Sequence, residues 1–181
     1  MIANLLARFF ARPRVADYII RRAVRTPYRH LPGYMERYWL FNPYGYHAED
    51  NSARFKWLPS VRVHHILRAD EDRAMHDHPW DARTMILQGW YWERRLHSVE
   101  ETSELRVVNY DLFHRQPGHT AAIRFGEFHS IDQGSVGGVW TLFFTWKYRG
   151  MWGFEVDGVK VPWRDYLAQK ENRDEDRKSV V

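Results

Sequence analysis

Histidine is the residue type in this chain with the greatest capacity for metal chemistry. The 181 residues include ten histidines and no cysteine, which excludes disulfides, thiolate metal sites and cysteine nucleophiles. The densest cluster is the segment His76-Asp77-His78. In an extended segment, residues i and i+2 point to the same side, so His76 and His78 can bind one ion together. Such a pair needs a third ligand from elsewhere in the fold.

His129 is the candidate for that third ligand. The segment that contains it begins at Gly118, runs through an apolar strand to a predicted turn at Gly126, and returns in a strand that starts near His129. A single histidine in such a strand is more often a core residue than a ligand. The spacing of His129 from the two glycines is what makes it a candidate.

The first segment resembles the first sequence motif of the cupin superfamily, G-x5-H-x-H-x3,4-E-x6-G. His76, His78 and Gly89 match this motif. Two positions depart from it, because Asp70 stands at the leading glycine and Ala82 at the glutamate. The glutamate that usually completes the family's ligand set is therefore missing here.

The second segment resembles the second cupin motif, G-x5-P-x-G-x2-H-x3-N. Gly118, Gly126 and His129 match at the motif spacing. Arg124 stands at the proline position and Gln133 at the asparagine position. The two motifs lie within residues 60–147, and nearly the whole chain is similar to uncharacterised cupin-like proteins of bacteria and their phages.

The resemblance implies an all-β fold, the double-stranded β-helix or jelly-roll barrel, with a metal ion in its mouth. His76, His78 and His129 would be the ligands. Without the motif glutamate, the site looks more like the three-histidine iron sites of cupin dioxygenases than like the family majority. The expected cofactor is a divalent transition metal, with iron favoured and zinc, nickel or manganese as alternatives, because imidazole binds all of them.

The function implied by the resemblance is that of a metal-binding cupin. Three neutral imidazoles leave the ion's charge uncompensated, and such a centre attracts an anionic substrate and acidifies bound water. A dioxygenase-like enzyme acting on a small anionic molecule is the leading hypothesis. A metal-dependent isomerase or hydrolase is one alternative. The other is a non-enzymatic binding or structural module, because a fold does not determine a function.

Side chains near the motif positions are candidates for supporting roles. Arg83, Arg124 and Gln88 are candidates to bind the anionic substrate, because a guanidinium group binds carboxylate or phosphate through two parallel hydrogen bonds. Asp77 and Asp81 are candidates to orient a ligand imidazole through its second nitrogen.

A fourth metal ligand is left open. Asp81 lies one residue from the position of the motif glutamate, His119 follows Gly118, and His114 lies in a predicted turn. Each of these three side chains is a candidate.

The elements that must position these residues are short strands. Aromatic and β-branched runs, separated by turn residues, begin near Tyr38, and Asp157-Gly158 is a strong hairpin signal. The predicted strands are 61–68, 83–93, 104–110, 119–125, 128–132, 138–147, 152–156 and 159–161. Many short strands without intervening helices predict an antiparallel sandwich or small barrel.

Three segments are predicted: a basic helical extension over 1–37, the barrel over 38–165, and a charged, disordered tail over 166–181. Apolar residues at helical spacing predict helices over about 2–11 and 13–25, separated at Pro13. Residues 1–40 carry eight arginines and two acidic residues. The favoured interpretation is a cap that packs on the barrel. Docking of a partner protein, an anionic membrane surface or nucleic acid is the alternative.

Location and assembly follow from simpler features. No apolar run approaches the roughly 18 residues that a membrane span requires, and the first residues lack the apolar core and cleavage site of a signal peptide. We therefore expect a cytoplasmic protein whose main partner is a small anionic molecule rather than a membrane or nucleic acid. Exposed strand edges need covering, so a homodimer is also expected.

Overall fold

A computed structural model describes residues 1–44, 53–70, 74–102 and 105–170. These residues form two helices and ten strands, with a further helical segment over 163–170. In chain order the elements are α1 (Ile2–Phe10), α2 (Pro13–Ala23), β1 (Met35–Phe41), β2 (Ser60–Ile66), β3 (Trp80–Gln88), β4 (Tyr91–Glu101), β5 (Arg106–Arg115), β6 (Thr120–Ile123), β7 (His129–Gly134), β8 (Val139–Tyr148), β9 (Gly153–Val156) and β10 (Val159–Pro162).

The strands form two main antiparallel sheets and a hairpin. The larger sheet has the order β1-β2-β8-β3-β6, the smaller has the order β5-β4-β7, and β9 pairs with β10. Strands far apart in the chain lie side by side, as β2 and β8 do. This arrangement confirms the predicted all-β barrel with an N-terminal helical extension.

The single strand predicted over 83–93 is two strands, β3 and β4, joined at Gly89. Gly89 has a φ of +76°, and a Cβ atom there would lie 2.5 Å from the carbonyl oxygen of Gly138. A residue with a side chain would be strained in this backbone conformation and would also clash. The left-handed turn reverses the chain and sends β4 into the smaller sheet.

Strand β1 was not among the predicted strands. Its sequence, Met-Glu-Arg-Tyr-Trp-Leu-Phe, does not alternate cleanly between polar and apolar residues. The strand forms because it pairs with β2, with Tyr38 opposite Val63. It begins at Met35, three residues before the predicted start of the barrel.

The two helices pack on the outer face of the larger sheet. Ala7, Ala16 and Ile19 belong to one buried cluster with Val63 of β2 and Leu142 of β8. Small side chains on the helices allow close approach to the sheet. The outward positions of β2 are therefore covered, and the alternate positions, Arg62 and His64, point into the barrel.

A short helix contains the first residues of the segment that was predicted to be a disordered tail. Residues 163–170 are helical, and the ring of Tyr166 stacks on Phe154 with 4.0 Å between centroids. The Tyr166 hydroxyl accepts a hydrogen bond from the backbone N–H of Ala74. Residues 166–170 are thus helical, and the buried Tyr166 anchors them to the barrel. The rest of the predicted tail, 171–181, and residue 104 at the start of one predicted strand lie outside the described residues.

No helix within the described parts of the chain is long and apolar enough to cross a membrane. The cytoplasmic location and the homodimer stay predictions.

Candidate metal centre

Three histidine side chains converge inside the barrel. The ligand atoms of His76, His78 and His129 all lie within 4.8 Å of one another, and no other such group of metal-ligating side chains occurs among the residues described. The two Nε2 atoms of His78 and His129 are 2.9 Å apart. These are the three histidines that the motif spacing selected.

The backbone holds this cluster in place. His76 and His129 exchange backbone hydrogen bonds, with both N–H···O distances at 2.9 Å. This reciprocal pair places the His76 segment beside β7, so the two parts of the ligand set approach each other through main-chain pairing. His78 follows at the alternate position and points to the same side as His76.

A buried carboxylate orients His129. The Nδ1 atom of His129 lies 3.1 Å from Glu93 Oε1, and the side chain of Glu93 is completely buried. Glu93 also accepts hydrogen bonds from Arg95, at 2.9 Å, and from Arg115, at 2.7 Å. The carboxylate holds the proton on Nδ1 and leaves the Nε2 lone pair of His129 facing the other two imidazoles.

The surroundings shift the pKa values of His78 and Glu93. Burial, together with the positive charges of His129 and His76, lowers the pKa of His78 well below its usual value. His78 is therefore a neutral imidazole with a lone pair to donate. Burial alone would raise the pKa of Glu93, but the hydrogen bond and charge of His129 and the charge of Arg95 lower it to about 2.

The donor set fits a divalent transition metal. The Nε2 atoms of His78 and His129 face each other 2.9 Å apart, so both nitrogens could donate to one cation between them. Three imidazole nitrogens suit iron, nickel, copper and zinc. Ala82, at the position of the motif glutamate, packs with Ile123 and Phe143, so no carboxylate approaches from that position.

The cluster forms one wall of a cavity of about 180 Å³ between the two sheets. Most of the lining is apolar or aromatic, and the described lining residues include no aspartate or glutamate. The polar groups, besides the three ligand candidates, include Arg37, Arg62 and His64.

The residues predicted to bind substrate do not lie in this cavity. Gln88 donates a hydrogen bond of 2.7 Å to Asp17 of α2, on the outer side of the barrel. Arg83 contacts the Thr120 hydroxyl at 3.3 Å, and Arg124 is exposed in the turn after β6. The prediction selected residues near the motifs in sequence, whereas strand alternation points Arg83 to the helix-covered face.

The two predicted orienting carboxylates have other partners. Asp77 is buried and accepts hydrogen bonds from the Gly153 backbone N–H and from Lys160, because alternation points it away from its histidine neighbours. These two hydrogen bonds connect the histidine segment to the β9–β10 hairpin. Asp81 accepts hydrogen bonds from the Phe125 backbone N–H and from Arg149.

None of the three candidates for a fourth ligand joins the cluster. Asp81 is engaged with Arg149 at the surface. His114 is exposed and lies against the rings of Trp90 and Trp92. His119 is exposed, and its Nδ1 lies 3.3 Å from the carbonyl oxygen of His114.

Sequence reasoning missed three residues of the site: Glu93, Arg62 and Arg37. Glu93 lies on a strand that was predicted as a continuation of β3, so the sequence did not show which way its side chain points. A signal did exist for Arg62, since it alternates with Val61 and Val63 in a strand rich in apolar residues. A strand with one covered apolar face must point its polar residues to the other face.

Comparisons with known proteins give similarity in structure only. No family model matches the sequence, and no curated protein matches it either. A single-site variant of oxalate decarboxylase from Bacillus subtilis superimposes with a TM-score of 0.51 at 11% identity, covering 81% of this chain and 33% of that chain. Oxalate decarboxylase from Lactobacillus farciminis superimposes with a TM-score of 0.48 at 14% identity, covering 83% of this chain and 36% of that chain. Fe(II)-HppE superimposes with a TM-score of 0.44 at 10% identity, covering 66% of this chain and 55% of that chain.

The chain thus spans about one third of the length of the oxalate decarboxylases that it resembles. At 11% identity the likeness concerns the fold and not the reaction. It agrees with the motif spacing read from the sequence and with the antiparallel barrel described above, and we conclude that this chain has a cupin-superfamily fold.

Proposed function

We propose that this chain is a metal-dependent enzyme that acts on a small anionic organic molecule. The observation that carries the proposal is the convergence of His76, His78 and His129 at the wall of a largely apolar cavity. These three residues would hold a divalent transition metal, with iron favoured. The bound ion would supply Lewis acidity and, if it is iron, redox chemistry.

The protein's own residues define the environment of that centre. Glu93 holds the Nδ1 proton of His129 and fixes the direction of its Nε2 atom. Phe143 and Phe154 form apolar walls of the cavity beside His78 and His76. Electrostatic interactions are stronger in such an apolar space than in water. An anionic group is therefore attracted to the side of the cavity that carries Arg37 and Arg62.

Oxidation with dioxygen is the reaction class that we favour. Hydrolysis or isomerisation needs a group that moves a proton, usually a carboxylate or a histidine. The described lining offers no carboxylate, and three of its histidines are ligand candidates. A metal-dependent isomerase or hydrolase using His64 is the alternative reaction class.

The first test is the metal content of protein purified without an affinity tag or chelator. We expect about one transition metal per chain in the wild type and its loss in His78→Ala and His129→Ala. His114→Ala is the matched control, because this exposed histidine lies outside the cluster. Stoichiometric metal retained in both cluster variants would contradict the site, as would failure of the wild type to bind iron, zinc, nickel or manganese on reconstitution.

The second test separates the reaction classes. Iron-reconstituted protein is mixed with a panel of small carboxylates while dissolved oxygen and substrate are measured. Oxygen uptake coupled to substrate loss supports a dioxygenase-like reaction. Turnover without oxygen uptake would identify the isomerase or hydrolase, and metal binding without any turnover would favour a non-enzymatic binding module.

A further inference from the structure

We propose that Arg62 is the anion-binding residue of the cavity and that the ligand is a small organic monocarboxylate with an apolar body. The description of this ligand as a substrate rests on the proposed function. Its binding at Arg62 does not, because the contact involves no metal.

Arg62 is a buried cation for which no described residue provides a countercharge. Its side chain is only 5% exposed, and among the described residues it forms no ion pair with a carboxylate. Its Nε atom is buried and has no hydrogen-bond partner. A buried charge is normally paired, because removing it from water without compensation is costly. An anionic ligand would provide the missing partner.

Aromatic rings surround the guanidinium group of Arg62. Its Cζ atom lies 4.4 Å from the ring centroid of Trp80, 4.7 Å from that of Tyr44 and 4.8 Å from that of Trp39. Ring contacts stabilise the cation through its faces. They do not use the N–H groups, which lie in the guanidinium plane and match the two oxygens of a carboxylate. The rings and a side-chain hydrogen bond with Tyr28 therefore hold Arg62 in place, and its Nε–H is left for an acceptor.

A second arginine increases the positive potential. Arg37 of β1 lines the same cavity, and its guanidinium donates to the backbone carbonyl of Arg29 rather than to an acid. The described lining contains no acidic side chain to balance the two charges. A cavity with low-polarity walls and charges of one sign concentrates ions of the opposite sign.

The remaining lining and the volume define the rest of the ligand. Ile66, Ile123, Ile131 and Phe143 form apolar walls, which favour a hydrocarbon body over a second charge. The volume is about 180 Å³, and an apolar protein cavity of roughly 150 Å³ binds benzene. A single aromatic or branched aliphatic group with one carboxylate fits this space.

The location of Arg62 would keep such a ligand beside the histidine cluster. Arg62 and Phe143 are direct partners across β2 and β8. The ring of Phe143 lies 5.0 Å from that of His64 and 5.3 Å from that of His78. One side chain thus separates the arginine from the ligand set, and a body that extends from the carboxylate reaches the candidate metal centre.

Phenylacetate is a suitable probe, with phenylacetamide as its uncharged counterpart of the same shape. Each is titrated calorimetrically into metal-free wild type, Arg62→Met, Arg62→Lys and the control Arg83→Met, which removes an arginine outside the cavity. We expect Arg62→Met to weaken phenylacetate binding by at least about tenfold, and Arg62→Lys by a smaller factor. Arg83→Met should match the wild type, and phenylacetamide should bind the wild type about tenfold more weakly than phenylacetate.

Three outcomes would overturn the proposal. They are equal phenylacetate affinity in wild type and Arg62→Met, equal affinity of the wild type for acid and amide, and no saturable binding of phenylacetate by folded wild type. If inorganic phosphate bound more tightly than phenylacetate, and if this binding were lost in Arg62→Met, the proposed carboxylate ligand would be wrong. The acid and amide comparison uses wild type alone, so it remains decisive if Arg62→Met fails to fold. The metal content of the same variants, measured as purified and before the metal is removed, should not change, which separates failure of this proposal from failure of the metal site.

Discussion

The Nδ1 atom of His129 lies 3.1 Å from Oε1 of Glu93, a carboxylate with no exposed surface. Arg95 and Arg115 donate to the same carboxylate. The candidate metal ligand is thereby connected to a buried network of charges that extends into β4 and β5. One buried side chain thus contacts both the candidate metal ligand and two arginines of β4 and β5.

Replacing Glu93 should weaken metal binding without removing a ligand. In Glu93→Gln the amide accepts a weaker hydrogen bond from His129, so the preference for the tautomer with a free Nε2 falls. Loss of such an orienting partner typically costs about 10- to 100-fold in metal affinity. Competition with a chromophoric chelator measures the change. Glu100→Gln, which alters an exposed carboxylate on the same strand, should leave the affinity unchanged.

Glu93 should also give the metal-free protein a specific sensitivity to acid. The carboxylate pKa is lowered from 4.5 to about 2 in the folded protein, so its contribution to stability is fully present above pH 4.5. The contribution is lost as the pH falls from about 4.5 towards 2, and it amounts to roughly 3 kcal/mol.

Denaturant unfolding of metal-free protein at several pH values tests this. The wild type should lose stability more steeply between pH 4.5 and 2 than Glu93→Gln, because the variant has no group to protonate there. Glu100→Gln is the control, since this carboxylate is exposed on the same strand and an exposed charge contributes little to stability. Parallel pH profiles for wild type and Glu93→Gln would contradict the assigned role.

Two glycines with similar backbone angles should differ in their tolerance of alanine. Gly89 and Gly126 have φ values of +76° and +85°. A Cβ atom at Gly126 has no neighbour within 4 Å, whereas one at Gly89 would lie 2.5 Å from the Gly138 carbonyl oxygen and 2.6 Å from Ser135 Oγ. Gly126→Ala should cost about 1–2 kcal/mol for the left-handed conformation alone.

Gly89→Ala should cost more, because the β3–β4 turn or the turn before β8 must also move. Thermal unfolding of the two variants beside the wild type measures the difference. A cost for Gly89→Ala equal to or below that for Gly126→Ala would show that the close approach between these turns is not formed.

The helical extension should be part of the folded unit and not an independent arm. Ile19 of α2 is 8% exposed and packs in the cluster that includes Val63 and Leu142. Ile19→Ala should destabilise the whole domain by about 2–4 kcal/mol. Its neighbour Tyr18 is 65% exposed, so Tyr18→Ala should change the unfolding free energy by less than about 0.5 kcal/mol. A single cooperative transition unaffected by Ile19→Ala would argue against helix packing on the barrel.

The sequence by itself determined the features that depend on short spacings. His76 and His78 share a side because strand residues alternate, and the glycine spacings around His129 matched a known motif. The two helices were predictable from apolar periodicity and from Pro13. The all-β class followed from many short strands separated by turn residues.

Only the tertiary structure decided which charged side chains enter the barrel. Arg83 and Arg124 lie near the motifs in sequence, yet Arg62, on another strand, lines the cavity. The choice depends on which face of each strand the helices cover, and that is a property of packing between distant segments. Glu93 reaches His129 for a similar reason. The turn at Gly89 starts a new strand, and the pairing of β4 with β7 joins residues 36 positions apart.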